Sequence, residues 1–215
     1  MKKNVNEIVL WLFITLPYLY VATIWKALPQ KVPTHFNING IANDWSDKSF
    51  LLFIPCGLGL FMYLLMIAIP SLDPKNKLSQ MENKFNAIKN ILVIFISILS
   101  IYLLYIIKEG SIKNPNLIIT LLGALFVVLG NYIQTIRPNY FIGIRTPWTL
   151  ENDIVWKKTH RFGGRLWMIG GLIISLISLS LNNSNMCTIV MIVLIVVLAF
   201  IPVIYSYKVF KQEQV

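Results

Sequence analysis

The sequence predicts an all-α integral membrane protein with six transmembrane helices and both termini in the cytoplasm. Two observations set the class and a third sets the orientation. Of the 215 residues, 56% are hydrophobic and only 13% charged, far more apolar than the roughly 45–50% apolar, 25% charged balance of soluble domains. The apolar residues fall into runs of about 20, long enough to cross about 30 Å of hydrocarbon as helices. Six runs stand out: Ile8 to Ala27, Phe50 to Ile69, Ile88 to Ile107, Leu117 to Ile136, Phe162 to Leu181 and Met186 to Tyr207. Of the nineteen Lys and Arg residues, fourteen lie in segments that share a side with the N-terminus, and five (Lys26, Lys31, Lys48, Lys108, Lys113) lie in the alternate segments. The basic excess marks the cytoplasmic side.

Each span carries its own marks. The first follows Lys2 and Lys3, but it is too long for a secretory signal and lacks a small-residue cleavage pattern, so it reads as retained. Pro17 and Pro202 fall inside the first and sixth spans and should bend or loosen them, because each removes a backbone donor. Asn131 and Gln134, near the inner end of the fourth, are suited to hydrogen bonds between helices. The fifth is the weakest, since its purely apolar part begins only at Leu166 and Arg165 must snorkel toward the headgroups. Small residues recur at heptad spacing: Gly123 and Gly130, and Gly163 and Gly164 followed by Gly170 and Gly171. Such faces allow close backbone approach in lipid, which points to packing within the chain, with a homodimer as the alternative.

The longest polar connection, Arg137 to Trp167, holds six of the nineteen cations, three of the six Trp and one of the two His. Pro138, Asn139 and Gly143, mixed with Tyr140 and Phe141, suit an ordered turn. After it, Thr146 is placed to cap a helix with Pro147 at its first position and Glu151 and Asp153 in its opening turns. That helix is expected to run through Lys157 and Lys158, with Trp148, Val155 and Phe162 on one apolar side, and to lie in the headgroup plane or to recognise a protein.

Several function classes are disfavoured. The net charge of +10 could suggest nucleic acid, but the cations cluster at span ends, where they set topology and meet anionic headgroups. No span has an ionisable residue in its central part, which argues against a coupled transporter. His35 and His160 fall on opposite sides of the membrane under this topology and cannot share a metal. Cys56 and Cys187 have no Cys-x-x-Cys spacing and read as core residues. Adjacent Glu151 and Asp153 are better explained by helix N-termini than by acid–base chemistry. The segment His35, Asn37, Asn39, Gly40 lacks the carboxylates of a calcium loop. No catalytic, metal or cofactor site is expected, and the chain is not expected to be an enzyme.

Two strings carry a resemblance. NYIQTIRPNYFIGIRTPWTLENDIVWKKTHRFGGRLWMIGG, from Asn131 to Gly171, resembles the signature segment of the SdpI family of bacterial membrane proteins. LPQKVPTHFNINGIANDWSDK, from Leu28 to Lys48, is similar to a small N-terminal module found in many of the same proteins. The expected organisation is a two-span module over 1–70 with an outer loop at 28–49, a linker and third span over 71–116, and a signature region over 117–207. The signature region contains a cytoplasmic loop at 137–165, and a tail follows at 208–215.

The resemblance implies a multi-pass cell-membrane immunity protein against a secreted peptide toxin of the sporulation-delaying kind. It also implies a signal transducer that captures a cytoplasmic helix-turn-helix repressor at the membrane. A small-molecule transporter or a membrane-embedded enzyme is the alternative. On this reading Pro33, His35, Phe36, Asn37 and Trp45 of the outer loop sense toxin, although a short strand and an Asn39-Gly40 turn packed across helix ends also account for that segment. Arg137, Asn139, Tyr140, Arg145, Trp148, Trp156, His160 and Arg161 of the inner loop are expected to engage the partner or transmit the signal, because Arg and aromatic residues are enriched at interface hot spots.

Overall fold

A computed structural model describes residues 2–37, 40–73, 76–181 and 184–214. Helix α1 (Lys2–Ile24) leads into an antiparallel hairpin of β1 (Lys31–Phe36) and β2 (Ala42–Asp47). Helices α2 (Phe50–Phe53), α3 (Gly57–Ala68) and α4 (Glu82–Glu109) follow, with single 3-10 turns at Ile69–Leu72 and Ser79–Met81 between α3 and α4. Then come α5 (Asn116–Ile133), α6 (Pro147–Glu151), α7 (Asp153–Ser180) and α8 (Ser184–Glu213). Six helical stretches among the described residues are long and apolar enough to span a membrane, as the sequence predicts. The chain divides into two compact units, residues 1–67 with 89–115, and residues 68–88 with 116–215.

In the first unit, Leu10 and Ile14 of α1 pack on Tyr63 of α3 and Val93 of α4. Val21, Ile24 and Leu28 pack with Val32 of β1, Leu51, Cys56 and Leu104. The hairpin is therefore fastened to helix ends through the wholly buried Val32. It is also tied to the segment after α4, where the Ile112 amide donates to the Gly40 carbonyl at 3.0 Å and Ile41 bridges Ser111. The expected second span is not one helix: it breaks between α2 and α3 at Pro55, whose ring removes a donor. At the break the Pro55 carbonyl accepts from Ser100 Oγ at 3.0 Å and from the Leu58 amide at 3.2 Å. Lys89, buried on α4, donates to Glu7 at 2.7 Å, and the Tyr63 hydroxyl donates to the other Glu7 oxygen at 2.8 Å. Glu7 lies at the start of its span, whereas Tyr63 and Lys89 lie well inside theirs, where the Lys89 charge is paired.

In the second unit, α7 packs between α5 and α8, and the two glycine pairs of α7 serve different neighbours. A Cβ on Gly164 would lie 2.5 Å from the Gly130 carbonyl, and one on Gly171 would lie 2.5 Å from the Gly123 carbonyl. On the adjacent face, Gly163 meets Pro202 and Gly170 meets Leu198 of α8. The heptad glycines thus serve packing within the chain. Gln134 donates to the Gly130 carbonyl and to Met168 Sδ, both at 3.2 Å, and joins α5 to α7, whereas Asn131 is exposed. Pro17 and Pro202 both sit inside continuous helices.

Candidate functional site

The polar connection between α5 and α7 is a closed frame of hydrogen bonds. Asn139 organises its first half: Nδ2 donates to the carbonyls of Arg137 and Ile142, and Oδ1 accepts from the amides of Phe141 and Ile142, at 2.7–3.0 Å. All the bonding capacity of a buried amide is used. Gly143 follows with φ +120°, a conformation that side chains disfavour. Its backbone lies over His160, whose Nε2 accepts from the Ile144 amide at 2.9 Å while Nδ1 donates to the Trp156 carbonyl at 2.8 Å. Those two contacts define a neutral ring with its proton on Nδ1. The ring stacks on Trp156 with centroids 3.8 Å apart, and Trp156 Nε1 donates to the Ile136 carbonyl at 2.9 Å.

The second half is fixed by Thr146, which caps α6 as expected. Its side chain accepts from the Thr149 amide while Thr149 Oγ1 accepts from the Thr146 amide. Trp148 Nε1 donates to Ser206 Oγ of α8 at 2.7 Å, and its ring meets Tyr207 and Phe210. The helix expected from Thr146 through Lys158 is, however, interrupted. Asn152 is extended and its Oδ1 accepts from the amides of Ile154 and Val155, so it ends α6 and caps α7. An Asn side chain that bonds the backbone ahead of it competes with the helix passing through it. Glu151 therefore closes α6, Asp153 opens α7, and α7 runs without a break into the fifth span, which starts nine residues before Phe162. The helix expected here is thus divided between α6 and the start of α7. The apolar side supplied by Trp148, Val155 and Phe162 is used inside the unit: Trp148 and Phe162 meet α8, and Val155 is buried.

The eight residues singled out in this connection separate by exposure. Arg137, Tyr140, Arg145 and Arg161 are exposed, Trp148 is half-buried, and Asn139, Trp156 and His160 are buried. The last three are frame rather than surface, and a buried side chain with its polar atoms satisfied is a poor contact for a partner. Arg145 donates to the Tyr140 carbonyl, which holds the two exposed residues together. Beside them lie two open clefts. One of about 340 Å³ is bounded by residues 79–84 and Arg137. The other, of about 180 Å³, is bounded by Lys77, Pro138, Asn139, Tyr140, Leu150 and Asp153. Lys84 donates to the Thr135 carbonyl at 2.7 Å between the start of α4 and the end of the α5 region. Thr149, Asn152 and Ser206 are not distinguishable as frame residues from spacing, because each acts through a backbone group or a helix distant in sequence.

The hairpin presents the other set. Trp45 is 52% exposed, His35 is exposed, Phe36 and Asn37 are intermediate, and Pro33 is buried opposite Trp45 in the ladder. His35 Nδ1 bonds Asn43 Oδ1 at 2.6 Å. Asn37 closes the turn, its Oδ1 accepting from the Ile41 amide at 3.0 Å; Asn39, expected in that turn, lies outside the described residues. Asp47 at the hairpin base accepts from the Ser49 amide at 2.9 Å and from Gln30. Those bonds, the Ser49 amide first, hold its carboxyl below the usual carboxylate range. His35 and His160 belong to different units, and among the described residues no cluster of three His, Cys, Asp or Glu side chains could hold a metal.

Six spans, a hairpin joined to one unit and a hydrogen-bonded polar frame in the other define a multi-pass protein of the cell membrane. The SdpI/YfhL protein family model matches residues 135–206, which covers the frame, α7 and most of α8. A domain of unknown function, DUF1648, matches residues 12–60, which contain the hairpin. The chain is 32% identical over 215 residues to the immunity protein SdpI of Bacillus subtilis (strain 168), a match that covers 99% of this chain and 98% of that protein. The chain belongs to the SdpI family. No solved structure matches it significantly.

Proposed function

We propose that this protein confers immunity to a secreted antimicrobial peptide toxin, and that it also signals toxin exposure by capturing a cytoplasmic helix-turn-helix repressor. The observation that carries the immunity reading is the end-to-end match to an immunity protein, which includes both the hairpin and the frame. The basic excess on one side supports an inward frame and an outward hairpin. In this arrangement Trp45, His35 and Phe36 meet the peptide, while Arg137, Tyr140, Arg145 and Arg161 offer the surface for an internal partner. Pro33 and Asn37 shape the hairpin, and Asn139, Trp156 and His160 hold the inner surface in place. The protein acts by binding rather than by catalysis.

The test is expression in a toxin-sensitive strain at verified membrane levels, followed by challenge with the peptide. Survival well above the vector control is expected. Killing that matches the control sinks the immunity reading for that toxin. A reporter under the repressor's control, measured in the same cells, tests capture separately.

A further inference from the structure

Helix α7 carries one outward stripe that changes character once. Lys157, Arg161 and Arg165 occupy it four residues apart, all exposed. Ile169, Leu172 and Leu176 continue it, 53–60% exposed. In a membrane protein that apolar stretch is covered by acyl chains, so the hydrocarbon reaches at least to Ile169, about 6 Å of helix from Arg165.

Helix α8 sets the level independently. It runs antiparallel to α7: Lys158 pairs with Glu213 at 2.6 Å, Phe162 stacks on Tyr205, Gly163 meets Pro202, and Trp167 Nε1 donates to the Leu198 carbonyl. Arg165 is therefore level with Phe200, which is exposed and apolar, whereas the cations of α8 begin only at Lys208. A guanidinium at that depth extends toward the headgroups. Among the described residues no carboxylate forms an ion pair with Lys157, Arg161 or Arg165.

We propose that Arg161 and Arg165, with Lys157 above them, bind the phosphate of an acidic phospholipid. The guanidinium fork matches an oxyanion in two-pronged geometry. An open groove of about 570 Å³ bounded by Asp153, Ile154, Lys157, Lys158 and Arg161 leaves room for the rest of a headgroup, its three cations outweighing the one carboxylate. A water-soluble protein partner suits Arg165 less well, because that residue sits level with lipid-covered surface.

The test uses the full chain in nanodiscs of phosphatidylcholine with a minority of phosphatidylglycerol. Lipid that stays with the protein on detergent extraction is analysed by headgroup. Wild type should enrich phosphatidylglycerol several-fold over the bulk. R161Q and R165Q should each lower the enrichment by about fivefold, up to complete loss, while R161K and R165K retain more of it and the distant K26Q leaves it unchanged. Wild-type lipid at bulk composition overturns the proposal, as does full enrichment in R161Q and R165Q with an unchanged circular dichroism spectrum. Loss of enrichment on adding inorganic phosphate at matched ionic strength would make this a general oxyanion site and overturn the lipid assignment. Unchanged enrichment with loss of repressor capture in R161Q would confine that arginine to the partner surface proposed above and overturn its role in lipid binding.

Discussion

At Gly143 the backbone φ is +120°, and a Cβ added there would lie 2.3 Å from His160 Nε2, the atom that accepts the Ile144 amide. Gly143→Ala must therefore adopt a disfavoured conformation, displace His160 and leave the Ile144 amide without its acceptor. The backbone strain and the orphaned donor together should cost about 3 kcal/mol. Gly110 provides the internal comparison, since its φ is +72° but nothing lies within 4 Å of an added Cβ. Gly110→Ala should cost only about 1 kcal/mol. Thermal unfolding in detergent measures both, and an equal loss for the two variants would show that His160 does not lock the frame. His160→Phe isolates the polar contribution, because it retains an aromatic ring against Trp156 but offers no acceptor. It should destabilise by about 1–3 kcal/mol, the cost of one unpaired buried amide, with the far-ultraviolet spectrum preserved.

At the scale of elements, Asn152 decides where α6 ends and α7 begins. Asn152→Ala removes an N-cap and should cost about 1 kcal/mol, whereas Asn152→Asp keeps an acceptor for Ile154 and Val155 and should restore most of it; melting temperatures of the two variants check this. The hairpin has its own test, in pH. The bonds to Ser49 and Gln30 lower the folded-state pKa of Asp47, so their stabilisation is present above the unfolded value of about 3.9 and is lost as pH falls through the folded value. Hydrogen exchange at the Ser49 amide should accelerate there relative to an Asp47→Asn variant, which has no such titration. Much of this level was legible in the sequence. The six spans, the Thr146 cap and the heptad glycines followed from run length, capping chemistry and spacing. What escaped was set by competition between local and distant bonds. Asn152 reads as an ordinary helix position until its side chain is seen capping the next two amides. Pro55 divides a run whose composition is uniformly apolar. His160 and Trp156 have the composition of an interface, and only the carbonyl of Ile136 and the amide of Ile144, 16 to 20 residues earlier, make them part of the frame.

For the whole molecule the governing quantity is the charge difference between the two sides of the membrane, from which we propose that the hairpin faces outside and the frame inside. Both native cysteines are buried, so wild type should react little with a membrane-impermeant maleimide, and an added exposed thiol reports its own side. Asn43→Cys, on the exposed strand β2, should label in intact cells. Arg145→Cys should label only after permeabilisation, and its labelling in intact cells would invert the assignment of both surfaces. The same two faces then predict separable losses of function. Trp45→Ala removes an exposed aromatic anchor, the side-chain type that most often dominates an interface, and such truncations typically cost at least about 2 kcal/mol of binding, or some thirtyfold in affinity. Survival under toxin should fall accordingly while the fold remains intact, because Trp45 lies outside the buried clusters. Arg137→Ala and Arg145→Ala alter only the inner surface and should reduce reporter induction with survival nearly unchanged. Survival and induction falling together in all three variants would mean that toxin binding and signalling share one structural state, and that the two surfaces do not act as separate recognition sites.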